Sequence, residues 1–117
     1  MPRRPSPGAT SLRSGATAPL FAALGDHTRL GLVTTLSREG PLSITRLTAG
    51  TTVTRQAVTK HLRLLEEAGL VREERRGRES LWEVESEGLE EARRCLDTIS
   101  RQWDGALGRL KKFVERD

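Results

Sequence analysis

Tyrosine is absent, and two Phe and two Trp supply the aromatic bulk, so a core built by this 117-residue chain rests mainly on Leu, Val and Ala. A single cysteine, Cys95, excludes an internal disulfide framework and suits a reducing cytoplasm. No apolar run approaches the roughly 20 residues of a membrane span. The basic N-terminus has no apolar stretch behind it of the kind a secretion signal needs, so no membrane partner is expected. His27, His61 and Cys95 fall on separate segments and fall short of a metal-ligand cluster. No nucleophile is paired with a base, and no two carboxylates form a recognisable motif. Neither enzymatic activity nor a cofactor or metal is expected.

The apolar fraction, 35%, is enough for one domain of this length without staples. Charge is unevenly placed. Residues 1–16 hold three arginines and no acid, Thr54 to Arg78 hold seven basic residues against four acidic, and the segment from Ser86 onward balances seven against seven. The gathering of positive charge on the tail and on 54–78 suggests a polyanionic partner. A solvated, arginine-rich surface is the plainer alternative.

"MPRRPSPGATSLRSGA" is rich in Pro, Gly, Ser and Arg, and is expected to be disordered. Thr17 can cap a short helix that buries Leu20, Phe21 and Leu24 and ends at Gly25. Asp26 can cap a second helix with Leu30, Val33 and Leu36 on one face, stopped by Gly40-Pro41. Ser43 can cap a third with Ile44 and Leu47 buried. After the short connection "AGTTV", Thr54 is suited to cap a fourth helix, about 54–68, whose apolar face is Ala57, Val58, Leu62 and Leu65. Two helices joined by so short a turn match the helix-turn-helix arrangement.

The stretch 71–84 alternates around Arg76-Gly77-Arg78, which predicts a β-hairpin with Gly77 at its tip. From a Ser86 cap to about residue 116, Leu89, Ala92, Leu96, Ile99, Trp103, Ala106, Leu110 and Phe113 recur at steps of three and four, a heptad seam. Such a helix would reach roughly 45 Å, longer than so small a domain needs, and implies a partner helix. Gly105 and Gly108 interrupt it, each costing about 1 kcal/mol relative to alanine, so either two helices approach closely there or the helix bends. The expected fold is mainly α with a small β-hairpin: a basic tail (1–16) and one domain (17–117) that includes the long helix (about 86–116).

In this order of elements, "FAALGDHTRLGLVTTL", "QAVTKHLRLLEEAGLV" and "RRGRESLWEV" resemble the ArsR/SmtB family of winged helix-turn-helix transcriptional regulators from Leu20 to about Val114. The ending "ISRQWDGALGRLKKFVE" looks like a metal-free subgroup. Metal-sensing members carry paired cysteines in the third helix or Asp/His ligands in the last; "SITRLTAG" has no Cys or His, and the last helix has no His. Many members also place a Gly just before the recognition helix and a leucine before that, where this chain has Thr52 and Thr51. A β-branched residue tolerates positive φ poorly, so the turn is either reshaped or tolerates a different conformation.

In a helix-turn-helix the N-terminal part of the second helix enters the major groove, which makes Arg55, Gln56, Thr59 and Lys60 candidates for base contacts. Arginine suits guanine O6/N7, glutamine suits adenine, and Thr59 can meet a thymine methyl. Thr54, Lys60 and Arg63 can serve phosphates. Arg75, Arg76 and Arg78 flank the hairpin tip and suit a narrow minor groove or phosphate; an exposed tip kept soluble by charge is the alternative. The resemblance implies a homodimer in which Leu96, Ile99, Trp103 and Leu110 meet a partner helix beside Leu20 and Phe21 of the first helix. It also implies a repressor of double-stranded DNA targets, with a pseudo-palindromic operator and an unknown effector. A winged-helix protein-interaction adaptor is the other reading, against which the basic face speaks. Trp103 and Phe113 could instead wall an effector pocket. Cys95 is expected to be a small packing residue, with redox sensing the alternative.

Overall fold

The computed structural model describes residues 17–115. The tail 1–16, expected to be disordered, lies outside them, as do residues 116–117. Helix α1 spans Thr17–Leu24 and buries Leu20 and Ala23, with Phe21 and Leu24 half-buried. Thr17, expected as a cap, is itself helical and buried, and its hydroxyl donates to Glu91 Oε2 at 3.2 Å. Asp26 caps α2 (His27–Glu39) by accepting from the Arg29 N–H at 3.0 Å. That hydrogen bond, with the Arg29 guanidinium nearby, holds its carboxyl below the ordinary value.

The buried arc of α2 is Leu32, Val33 and Leu36, a correction to the expected Leu30, which is 50% exposed. On a helix Leu32 lies about 40° from Leu36 and Leu30 about 120° from it, so one turn cannot bury both. The core side of this arc also carries Arg29. Its Nε donates to the Ala23 carbonyl at 2.7 Å, and its Nη1 lies 3.2 Å from His61 Nδ1, which ties α1 and α2 to the fourth helix. His61 is thus half-buried and hydrogen-bonded between helices.

Gly40, at φ 87°, donates to the Leu36 carbonyl and ends α2. Next comes an element absent from the sequence expectations: β1 (Leu42–Ser43) pairs antiparallel with Trp82 and Leu81, which adds a third strand beside the second strand of the hairpin. Two residues are too few to display a period. Ser43 also caps α3 (Ile44–Ala49), accepting from the Arg46 N–H at 3.2 Å.

The turn into α4 (Arg55–Glu67) accommodates Thr51 and Thr52 without positive φ. Gly50 sits at φ −89°, and no non-glycine residue among those described has positive φ. The Thr51 hydroxyl accepts from the Val53 N–H at 3.1 Å, a side-chain closure of the turn. Thr54 then caps α4 through Ala57 N–H at 3.1 Å. Val58, Leu62 and Leu65 bury one face completely, and truncating such a residue typically costs about 2 to 5 kcal/mol. At its far end Gly69 takes φ 84°; Gly69 N–H bonds Glu66 O and Leu70 N–H bonds Leu65 O, each at 3.0 Å, a Schellman closure.

Strands β2 (Val71–Arg76) and β3 (Glu79–Val84) pair in register from Val71↔Val84 to Arg76↔Glu79. Gly77, at φ 63°, opens the two-residue turn. The sheet lays Val71 and Trp82 against the helices, where they join Leu36, Leu47, Val58, Leu62 and Leu65 in the core.

Helix α5 (Ser86–Glu115) runs unbroken through Gly105 and Gly108. Ser86 is its first residue and not its cap, a correction of one position: Glu85 accepts from Gly88 and Leu89 N–H, while its own N–H donates to Leu70 O at 2.8 Å. A Cβ on Gly88 would collide with the Gly69 carbonyl, so the start of α5 rests backbone to backbone on the end of α4. Ala92 and Cys95 are buried, and Leu89 packs on the core. Beyond Cys95 the apolar side chains of α5 leave the domain.

Candidate nucleic-acid interface

The helix-turn-helix presents the N-terminal half of α4 outward because its opposite face is consumed by Val58, Leu62 and Leu65. Arg55, Gln56 and Lys60 are exposed and Thr59 half-buried. Among the described residues neither Arg55 nor Lys60 has an ion pair or hydrogen bond with its side chain, so both charges are free for an anion. Thr54 spends an acceptor lone pair on its cap and keeps its hydroxyl proton for donation.

On the wing, alternation separates the arginines by face. Arg72, Glu74 and Arg76 share one face with Glu83, and there Arg72 Nε meets Glu83 Oε2 at 3.0 Å while Arg76 lies 3.7 Å from Glu74 and 3.9 Å from Glu83. Arg75 and Arg78 are exposed and, among the described residues, without such partners. The three predicted tip arginines therefore divide into two free cations and one held in a loose carboxylate network.

Arg63 is placed differently from Arg55 and Lys60. Its Nη1 contacts Glu66 Oε1 at 3.0 Å and Glu73 Oε1 at 2.9 Å, and its guanidinium carbon lies 4.9 Å from the centre of the Trp82 ring. The two hydrogen bonds, Glu66 first and Glu73 second, raise its pKa further above the guanidinium range. A cation over a tryptophan face contributes about 1 kcal/mol at such a half-exposed site. One residue absent from the sequence candidates is Arg46, exposed on α3 with its guanidinium free among the described residues. Its signal was available, since the first helix of such a motif crosses the DNA backbone.

The second part of the site is α5. Leu96, Ile99, Trp103, Leu107, Leu110, Phe113 and Val114 are between 46% and 70% exposed. They fall within an arc of about 120° on a helical wheel, a continuous stripe. Gly105 and Gly108 lie on the opposite side of the wheel from this stripe. Of the two first-helix candidates, Leu20 is 4% exposed and belongs to the domain's own core, whereas Phe21 is half-buried. Among the described residues no three His, Cys, Asp or Glu gather where they could hold a metal ion, and no helix is long and apolar enough to cross a membrane.

Recognition helix, three-stranded sheet with a projecting hairpin, and long terminal helix together define a winged helix-turn-helix DNA-binding protein of the transcription-regulator class. Residues 24–74 match the family described as "Helix-turn-helix domain". HTH-type transcriptional regulator Rv2034 of Mycobacterium tuberculosis is 33% identical over 97 residues, 83% of this chain and 87% of the relative. The arsenical resistance operon repressor of Escherichia coli is 37% identical over 59 residues, half of each chain. Among solved structures, an ArsR-like transcriptional regulator from Rhodococcus sp. RHA1 is 35% identical with a TM-score of 0.73, covering 87% of this chain and 95% of its own. A homodimeric winged helix-turn-helix domain from Mycobacterium bovis shares the fold at 21% identity and a TM-score of 0.61, covering 87% and 91%. The chain belongs to the ArsR family of winged helix-turn-helix transcriptional regulators.

Proposed function

We propose that the protein is a homodimeric transcriptional repressor that binds a pseudo-palindromic operator and responds to something other than a bound metal. The exposed stripe on α5 carries this reading, because seven large apolar side chains in one continuous arc cannot remain in water at little cost. A second copy of the same stripe is a complementary cover, and the M. bovis neighbour is a homodimer. Two recognition helices related by a two-fold axis would enter successive major grooves roughly 34 Å apart.

In this reading Arg55, Gln56 and Thr59 touch base edges, while Thr54, Lys60 and Arg46 hold phosphates. Arg75 and Arg78 take the minor groove or flanking phosphate, with Arg76 a lesser contributor because it must first leave its carboxylates. On α5, Leu96, Ile99, Trp103 and Leu110 meet the partner, joined by Phe21. Leu20 supports that surface from beneath. Occupying a promoter would exclude polymerase, and the E. coli relative's repressor role supports that direction. The basic face of α4, with Arg55 and Lys60 unpaired among the described residues, disfavours the adaptor reading. Footprinting on DNA upstream of the protein's own coding sequence tests the proposal: two protected half-sites one helical turn apart are expected, and a single or unphased patch would contradict it.

A further inference from the structure

We propose that Arg63 is a positioning residue that clamps the wing to the recognition helix, so that both enter DNA as one rigid unit; the inference rests on the DNA-binding reading above. By sequence Arg63 shares the outward arc of α4 with Arg55 and Thr59. Its side chain instead turns to the wing, with Nη1 bridging Glu66 of α4 and Glu73 of β2 while the guanidinium covers Trp82 of β3. Glu73 and Trp82 are directly opposed partners on β2 and β3, so one guanidinium grips both strands at a single rung.

That rung is the last of the hairpin to hold a buried side chain, Trp82 at 2% exposure. The next rung, Glu74↔Leu81, is still backed by Ser43 of β1, and two further rungs, ending at Arg76↔Glu79, project beyond it as a bare hairpin toward the tip with Arg75 and Arg78. At about 3.3 Å per residue the two-stranded overhang is roughly 7 Å before the turn. A two-stranded ribbon twists readily, and β1 holds only the β3 side of its base, so what fixes β2 at the Glu73↔Trp82 rung helps set where the tip arginines point. Charge argues against a phosphate role for Arg63 itself. One cation between two carboxylates gives the cluster a net charge of −1, which a phosphate would not approach.

The sign of one substitution separates the two roles. Glu73→Ala removes a negative charge beside the DNA, so on charge alone it strengthens binding, and it frees Arg63 for a phosphate. The clamp requires the reverse. Binding of the full-length protein to its footprinted upstream DNA and to random DNA is measured for wild type, Glu73→Ala, Arg78→Ala and the double variant. Expected are about tenfold weaker operator binding by Glu73→Ala at unchanged helical content, and an Arg78→Ala penalty that largely disappears in the Glu73→Ala background. Equal or tighter operator binding by Glu73→Ala, or the same Arg78→Ala penalty in both backgrounds, overturns the clamp. Arg55→Ala, run alongside, keeps the two readings apart: its penalty should persist in the Glu73→Ala background, and a wild type that fails to discriminate operator from random DNA removes both readings.

Discussion

Trp103→Ala probes the proposed dimer without touching the monomer's core. Trp103 is 64% exposed, on a part of α5 that leaves the domain. A Trp presents up to about 250 Å², so roughly 160 Å² of it awaits cover. At about 25 cal/mol per Å², full cover is worth up to about 4 kcal/mol per copy. A two-fold interface contains two copies. If packing covers half of each, the dimer loses about 4 kcal/mol, which corresponds to roughly a thousandfold rise in its dissociation constant. Sedimentation equilibrium from nanomolar to tens of micromolar measures that shift directly. Far-UV circular dichroism should remain close to wild type, since Trp103 lies outside the buried core. A variant that dimerises as tightly as wild type would refute the reasoning and place the interface elsewhere.

Three other substitutions test the packing. Gly88→Ala forces a Cβ into the Gly69 carbonyl, which must separate α5 from the end of α4; a loss of at least about 1 to 3 kcal/mol in denaturant melts is expected. Gly108→Ala meets nothing within 4 Å and should stabilise α5 by up to about 1 kcal/mol, seen as a raised Tm; a lowered Tm would mean a partner approaches that side. Asp26 has a folded pKa below its ordinary 3.8, so its contribution is full above that value and is lost as pH falls through the lower folded one. Asp26→Asn, which retains a capping oxygen, should flatten that acidic limb of the stability curve while leaving the rest in place.

The elements were legible in the sequence where period and caps agreed. Asp26, Ser43 and Thr54 each cap the helix expected of them, and Val58, Leu62 and Leu65 bury the face their spacing implies. Misplacements arose where local pattern is silent. The arc of α2 was ambiguous because Leu30 and Leu32 both fit a helical stripe with Val33 and Leu36, and only tertiary packing chose Leu32. β1 is too short to carry a pattern, and Gly88 is required by a backbone approach between segments distant in sequence. Arg63 shows the same limit at the site. Spacing put it on the outward face, and only the fold brought Glu73 and Trp82 within its reach.

If α4 reads base sequence, the ratio of operator to random-DNA affinity depends on Arg55 and Gln56. Affinities for the footprinted operator and for random DNA of equal length are measured at one salt concentration for wild type, Arg55→Ala and Gln56→Ala. Each good base contact contributes about 1 to 3 kcal/mol of discrimination, so the ratio should fall by roughly 5- to 150-fold in either variant while random-DNA affinity changes far less. An unchanged ratio, with operator and random DNA weakened together, would contradict base reading by this helix.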